Sequence, residues 1–358
     1  NCFFIVWSGY QETGGLIRNE FEIFGRFVSG TGLFIGDTIR ISDMGPDGNG
    51  SYDALFPRIA YSDGGRFLVV WEGDDLSVAL DDGEQEIFGQ FVDAGTRIET
   101  GPNDFRISSA GADGNTSVDA GVPSVAFDPE RDQFLVVWEA DTGTGGLVSN
   151  ENEIYGQFIA DVTGLEVGQN DFRISSFGNN DGTSADSAIN PEVIYQAEED
   201  AFVVAWSAAE NVGGGTREDE IFAQVIDAVT GAALGANTRM SDMGPDGDDS
   251  FGPSAPFALA SGSADRVFFT WSGNDDQFDL FPEEDEIFIQ LGRVDGGLIE
   301  EGANDFKISE AGSDGDNISD AFVPALVYNS SDDCYLVVWE NPGAGGAFAL
   351  ERIFGNRI

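Results

Sequence analysis

Histidine is absent from this chain of 358 residues, lysine occurs once, as Lys307, and cysteine twice, as Cys2 and Cys334. Without imidazole there is no histidine base, proton shuttle or zinc ligand, which removes a large share of enzyme mechanisms. Basic residues are scarce as a class: 16 Lys and Arg face 65 Asp and Glu, giving a formal charge of −49. Such a field repels nucleic acid and anionic membranes, so neither is a partner. No apolar run reaches the ~20 residues that span a bilayer, and no segment carries helical periodicity of useful length. The first residue is Asn instead of Met, which reads as the mature or excised part of a secreted product, placed outside the cell or on its surface.

Hydrophobic residues are nonetheless 41% of the chain and include 29 Phe, enough to build a large core, so the acidic excess is not a sign of disorder. The six tryptophans fall at Trp7, Trp71, Trp138, Trp206, Trp271 and Trp339, spaced 64, 67, 68, 65 and 68 residues apart. Each closes an apolar run such as FLVVW and is followed by a block such as EIFGQFV. A period this long marks one supersecondary unit copied into a propeller or an array. In the second repeat four short β-branched and aromatic segments stand out: PRIAY (57–61), FLVVW (67–71), EIFGQFV (86–92) and DFRIS (104–108), designated A to D. Both alternating faces of B and C are apolar, so each sheet is expected to be sandwiched between two others.

Counting B, C and D in the first repeat, four full sets, and A, B and C in the last predicts 22 strands. The expected architecture is all-β, a single propeller domain over 1–358 with six blades and incomplete terminal ones. The repeat units run about 1–56, 57–122, 123–190, 191–255, 256–323 and 324–358. The tryptophans are expected to be core anchors, and the glycines in the middle of C, Gly25, Gly89, Gly156 and Gly355, to leave room for a bulky neighbour such as the Trp of an adjacent blade. SDMGPDG at 42–48 and again at 241–247 points to a duplication of three repeats. Cys2 and Cys334 occupy the same slot of the first and last repeats, and a disulfide between them would pin the seam of a closed ring.

The order FLVVWE, then [DE]IYGQ, a Gly turn, a short FxIS-like strand and PxVAY resembles the repeats of large secreted and surface proteins of bacteria, generally thought to form β-propellers. The resemblance covers the whole chain and implies exposure and adhesion or scaffolding more than any reaction.

The segments from D to the next A carry the most pointed chemical pattern. PDGNGSYDA places Asp47, Asn49, Ser51 and Asp53 at alternate positions, and ADGNTSVDA does so with Asp113, Asn115, Ser117 and Asp119. SDGDNISDA supplies Asp314, Asp316 and Asp320; two degraded copies retain Asp246, Asp248 and Ser250, and Asp181, Thr183 and the shifted Asp186. Alternating oxygen ligands in a tight Gly-containing loop suit a hard cation, so several Ca2+ ions are expected, one per crossover at most. The competing reading is that these are Asp and Gly turns held by Asx hydrogen bonds.

A pair of glutamates precedes each C strand, as in Glu84 and Glu86, and a basic residue recurs in D: Arg40, Arg106, Arg173, Arg239 and Lys307. This recurrence predicts cross-strand ion pairs. The SxDxGxTW box of propeller sialidases is missed by the nearest stretches, SDGGRFLVVW and NSSDDCYLVVW. Among the variable B–C loops only one has an apolar tip, with Gln277, Phe278 and Phe281 as rim-loop binding candidates. The leading expectation is a calcium-stabilised propeller outside the cell, not an enzyme, acting as an adhesion or scaffold module. Its partner would be a surface protein, a glycan or a second copy of itself. The alternative is a glycan hydrolase with its site on one rim.

Overall fold

The structure, a computed structural model, describes residues 2–10, 15–75, 80, 83–142, 151–177, 187–210, 218–245, 248, 250–275, 284–310, 320–341 and 352–358. Among them every regular element is a strand, and 22 strands form six antiparallel sheets, four of four strands and two of three. The fold class is all-β, a β-propeller of six blades. Blade 1 is β1 (Cys2–Gly9), β2 (Glu22–Ser29) and β3 (Phe34–Arg40); blade 2 is β4 (Ala54–Tyr61), β5 (Arg66–Gly73), β6 (Glu86–Asp93) and β7 (Glu99–Arg106). Blade 3 is β8 (Ala120–Asp128), β9 (Gln133–Ala140), β10 (Glu153–Ala160) and β11 (Glu166–Arg173). Blade 4 comprises β12 (Ala188–Gln196), β13 (Ala201–Glu210), β14 (Glu218–Asp227) and β15 (Ala233–Arg239). Blade 5 comprises β16 (Gly252–Ser261), β17 (Arg266–Asn274), β18 (Glu286–Val294) and β19 (Leu298–Lys307), and blade 6 comprises β20 (Phe322–Asn329), β21 (Cys334–Asn341) and β22 (Arg352–Arg357). The terminal blades thus lack strand A and strand D respectively, as the repeat count predicts.

The chain divides into two compact units, one made chiefly of Asn1–Ile174 and the other chiefly of Ala185–Ile358, with blades 1–3 in the first and blades 4–6 in the second. In the first unit one core cluster joins blades 1 and 2 and another joins blades 2 and 3. In the second, clusters join blades 4 and 5 and blades 5 and 6. In blades 2 and 5 both faces of B and C are apolar because each of these sheets is covered by a core cluster on either side. Trp71, Trp138, Trp206 and Trp271 are fully buried, and Trp71 and Trp271 stack on the cross-strand Phe88 and Phe288 at centroid distances of 6.4 Å. They are core anchors.

The mid-C glycines make room for different neighbours from the Trp expected. A Cβ on Gly25 would meet the Phe4 ring of the same blade at 2.4 Å and Ile41 Cδ1 at 2.8 Å, and one on Gly89 would meet Ile107 Cδ1 at 2.9 Å. The space is filled from within the blade, because a residue pointing out of C faces side chains of B and of the segment after D. The Gln that follows two of these four glycines, Gln90 and Gln157, has its own task. Gln90 Nε2 donates to the carbonyls of Phe91 and Thr100, while its Oε1 accepts the Asp104 N–H at 3.0 Å. That buried amide closes the gap where the β6–β7 register shifts between Gly89 and Phe91, satisfying backbone groups that the bulge leaves without ladder partners.

Cys2 and Cys334 are both free thiols, so the expected disulfide is not formed. Cys334 Sγ instead accepts the Arg357 Nε–H at 3.1 Å, a contact across the B–C pair of blade 6.

Candidate functional site

Four of the five D-strand basic residues meet the glutamates that precede C. Arg40 binds Glu22, Arg106 binds Glu86, Arg173 binds Glu153 and Arg239 binds Glu220. In blade 2 the buried Glu86 also accepts the Ser108 hydroxyl and the Ala110 N–H, the latter at 2.9 Å. Burial pushes the Glu86 carboxyl up, and Ser108, Arg106 and the Ala110 N–H pull it back. Each lone pair is used, and the same set recurs with Glu22, Ser42, Arg40 and Met44. This is an architectural clasp that ties strand D and the start of the crossover to strand C.

The crossovers hang from the same clasp. Asp47 Oδ1 lies 2.7 Å from Arg40 Nη1 and Asp113 Oδ1 lies 2.8 Å from Arg106 Nη1. Asn49, Asn115 and Asp248 each accept the N–H of the serine two residues on, Ser51, Ser117 and Ser250, at 3.3, 3.3 and 3.1 Å. Asp53, Asp119 and Asp320 accept the N–H of Phe21, Gln85 and Asp285 at 2.8, 3.0 and 3.4 Å. Among the described residues no group of three or more Asp, Glu or Cys is gathered for a metal ion. In the described copies the first carboxylate, that of Asp47 and Asp113, faces the D-strand arginine, and the second and last oxygens accept from backbone N–H groups. Asp181, Thr183, Asp186, Asp246, Asp314 and Asp316 lie outside the described residues, as do Gln277, Phe278 and Phe281.

Among the described residues the junction between blades 2 and 3 departs from the repeat. Between blades 2 and 3 lies a cavity of about 310 Å³, with Glu72 and Gln85 from blade 2, Ser117 and Asp119 from the crossover, and Gly121, Val122, Glu139, Asp141 and Asn152 from blade 3. Two sequence changes create it. The residue after the ruler Trp is Glu in Glu72, Glu139 and Glu340 but Ser in Ser8, Ser207 and Ser272, so blades 2 and 3 are consecutive in carrying Glu. The residue directly opposite that position on strand A is Leu55, Gly121, Ile189, Ser254 and Phe322 in blades 2 to 6. Only blade 3 has glycine there, and the wall is cut back at that point.

Glu72 fills the space so made. A Cβ on Gly121 would stand 2.8 Å from Glu72 Oε2, and that same oxygen accepts the Val122 N–H at 2.9 Å. Glu139 pairs with Gly121 across the ladder and lines the cavity, but its neighbours Trp138 and Ala140 are the ones packed toward blade 2, so strand alternation turns its side chain to the other face of the sheet. Asn152 Nδ2 donates to Glu139 Oε1 at 3.4 Å. Burial pushes the Glu72 carboxyl above its ordinary range; Asp119 adds to the rise and the Val122 N–H opposes it. Asp119 is raised as well, by burial first and by Glu84 and Asp141 beside it, against the Gln85 N–H.

Sequence reasoning places Ser117 and Asp119 at this cavity, though as calcium ligands, and misses Glu72, Gly121, Glu139 and Asp141. The available signal is the Trp-Glu against Trp-Ser alternation. It is hard to weigh without knowing that consecutive blades bring two such glutamates to one gap, or that glycine stands opposite one of them.

No protein-family model and no curated protein matches the chain. Solved structures do: the chain is similar to an ulvan lyase of a new polysaccharide lyase family, with a TM-score of 0.54 and 12% identity over 99% of this chain and 75% of that one. The same lyase bound to -[GlcA(1-4)Rha3S]- matches with a TM-score of 0.51, 12% identity and the same coverage. An endo-arabinanase of glycoside hydrolase family 43 from Bacillus licheniformis matches with a TM-score of 0.42 and 12% identity over 82% of this chain and 91% of that one. The expectation that the chain is not an enzyme is corrected by this finding to the extent that the solved structure sharing its fold, the ulvan lyase, is an enzyme; at 12% identity the likeness is one of fold.

Proposed function

We propose that the protein is a glycan-active hydrolase whose reaction takes place in the cavity between blades 2 and 3. The observation that carries this reading is the Gly121 opening filled by Glu72, in a cavity whose lining also includes the carboxylates of Asp119, Glu139 and Asp141. A glycosidic bond is cleaved by two carboxyl groups, one protonated and giving its proton to the leaving oxygen, the other ionised and acting as base or nucleophile. Glu72, desolvated and held above the usual carboxylate range, suits the acid. The second carboxylate would come from the other acids that line the cavity, Glu139 or Asp141. Gln85, Ser117 and Asn152 line the same cavity and offer donors and acceptors to sugar hydroxyls.

A hydrolase is favoured over a lyase by the charge of the cavity. Elimination beside a uronate withdraws a proton next to a carboxylate, which requires a cation or strong donor to take up the developing charge. The lining residues include four carboxylates and neither arginine nor lysine. A neutral sugar is therefore the substrate at the cleaved bond. The repeat motif and the acidic composition support a place outside the cell or on its surface, with the glycan as the partner.

The test is release of reducing ends from neutral polysaccharides (arabinan, xylan, galactan and mixed-linkage β-glucan) by the wild-type chain and by Glu72→Gln. Release by the wild type that the variant loses supports the reading. Equal release by both, or none by the wild type on any of the four, overturns it.

A further inference from the structure

We propose that Gly121 is a positioning residue which, with the Val122 N–H, holds the Glu72 carboxyl so that Oε2 is its acceptor oxygen and Oε1 carries the proton toward the cavity. This deepens the hydrolase reading and rests on it for its catalytic meaning, while the geometry stands by itself.

A carboxylic acid has two unlike oxygens. The carbonyl oxygen accepts hydrogen bonds and the hydroxyl oxygen donates one. Glu72 Oε2 receives the Val122 N–H at 2.9 Å, and a donor aimed at one oxygen favours that oxygen as the carbonyl. The proton is thereby left to Oε1, which has no hydrogen-bond partner among the described residues. A general acid needs this arrangement: a proton on the oxygen that faces the leaving group, and a fixed orientation for it.

The close approach depends on residue 121 having no side chain. A Cβ would lie 2.8 Å from Oε2, well inside van der Waals contact, and the flexible carboxylate is the group that yields. Gly121 has an ordinary negative φ, so backbone conformation does not require glycine here. Leu55, Ile189, Ser254 and Phe322 fill the corresponding positions of other blades, so the strand accepts side chains at this register. What glycine uniquely provides is the seat for Glu72.

Val122 contributes its backbone at some conformational cost. Its φ of +48° lies in the left-handed region, which a β-branched residue rarely adopts. Phe56, Asn190 and Val323 take the same turn in other blades, with φ of 50°, 54° and 48°. The exposed N–H is thus a standing product of the strand A bulge. In blade 3 it is Glu72 that takes this N–H, at 2.9 Å.

The experiment compares wild type, Gly121→Ala and Glu72→Gln. The Glu72 carboxyl is followed by carbon-13 NMR titration in protein labelled at glutamate Cδ, and its resonance is identified by its loss in Glu72→Gln. In the wild type the resonance so identified titrates above the ordinary range, as do those of other buried glutamates such as Glu86. In Gly121→Ala that resonance moves down toward it, because a displaced carboxylate regains solvent and burial is the largest cause of the rise, while the melting temperature stays within a few degrees. On whichever neutral polysaccharide the wild type cleaves, Gly121→Ala lowers kcat at least tenfold with KM changed less than threefold, and the high-pH limb of the profile shifts to lower pH. An unchanged Glu72 titration in Gly121→Ala overturns the positioning role, whether or not a substrate has been found. Inactivity of Glu72→Gln with wild-type kcat and pH profile in Gly121→Ala likewise overturns it and leaves the hydrolase reading standing. Full activity of Glu72→Gln defeats the hydrolase reading instead.

Discussion

Glu72 and Glu86 sit in the same blade, 14 positions apart in the sequence, and both carboxyls are pushed up chiefly by burial. Their surroundings differ in kind. Glu86 is saturated by Arg106, the Ser108 hydroxyl and the Ala110 N–H, and its counterparts recur in other blades. Glu72 has a single N–H on one oxygen and lines a cavity. In a repeat protein, then, a buried acid is read less by its burial than by whether its hydrogen bonds are complete and whether its sister blades share them. Completed and repeated means architecture; incomplete and unrepeated means chemistry.

The largest expected effect separates these two glutamates by activity. Glu72→Gln should cost about 10²–10⁴-fold in turnover, the usual contribution of a positioned acid, with little change in the urea midpoint. Arg106→Ala should do the reverse. Removing the guanidinium leaves Glu86 buried without its charge partner, a loss of about 3 kcal/mol by the measure of broken buried pairs, read from urea denaturation. If Arg106→Ala is as stable as wild type, the clasp is not what holds strand D.

A third prediction concerns three aspartates in the bulge of strand D. Asp104, Asp171 and Asp305 are raised by burial to about 7, 6 and 7, with Glu99, Glu166 and Glu300 on their own strands among the neighbours that add to the rise. Asp104 accepts the Asp43 N–H at 3.0 Å and Asp305 the Asp242 N–H at 2.9 Å, so each joins its blade to the preceding crossover. A carboxyl whose folded pKa exceeds its unfolded one stabilises fully below the unfolded value. That contribution is lost as pH rises through the folded pKa. Stability from these groups therefore declines between about pH 4 and pH 7. Asp305→Asn should flatten this decline, raising the melting temperature at pH 8 relative to wild type and not at pH 4. A steeper decline in the variant would contradict the assignment.

The smallest expected effect is that of calcium. Asp47 and Asp113 already face guanidinium groups and Asp53 and Asp119 already hold backbone N–H groups, so chelation should shift the melting temperature by less than about 2 °C, under 1 kcal/mol for a chain of this size. A fall of 10 °C with EGTA, restored by Ca2+, would assign the crossovers to the cation after all.

Much of the fold was legible in the residues. The Trp period, the two-faced apolar strands and the count of A to D segments led to six blades, 22 strands and short terminal sheets, because hydrophobic periodicity reports burial directly. The Glu–Arg clasp was legible for a similar reason: a charge repeated in one slot of adjacent strands has a partner in register. The crossover Asp and Asn residues were ambiguous, since alternating oxygens satisfy a cation and a turn equally well on paper. The glycines of strand C were read correctly as space and wrongly as to the occupant, because which side chain enters a gap depends on three-dimensional neighbours.

What the sequence determined alone was the repeat: its length, its strand content, its core anchors and the absence of histidine chemistry, all properties of one unit taken by itself. What only the tertiary structure decided was the junction. Glu72, Gly121 and Glu139 are 49 and 18 residues apart in the chain, and each looks like a minor variation within its own repeat. They come together because blade 2 packs on blade 3, which sets the missing side chain of one strand against the carboxyl of another.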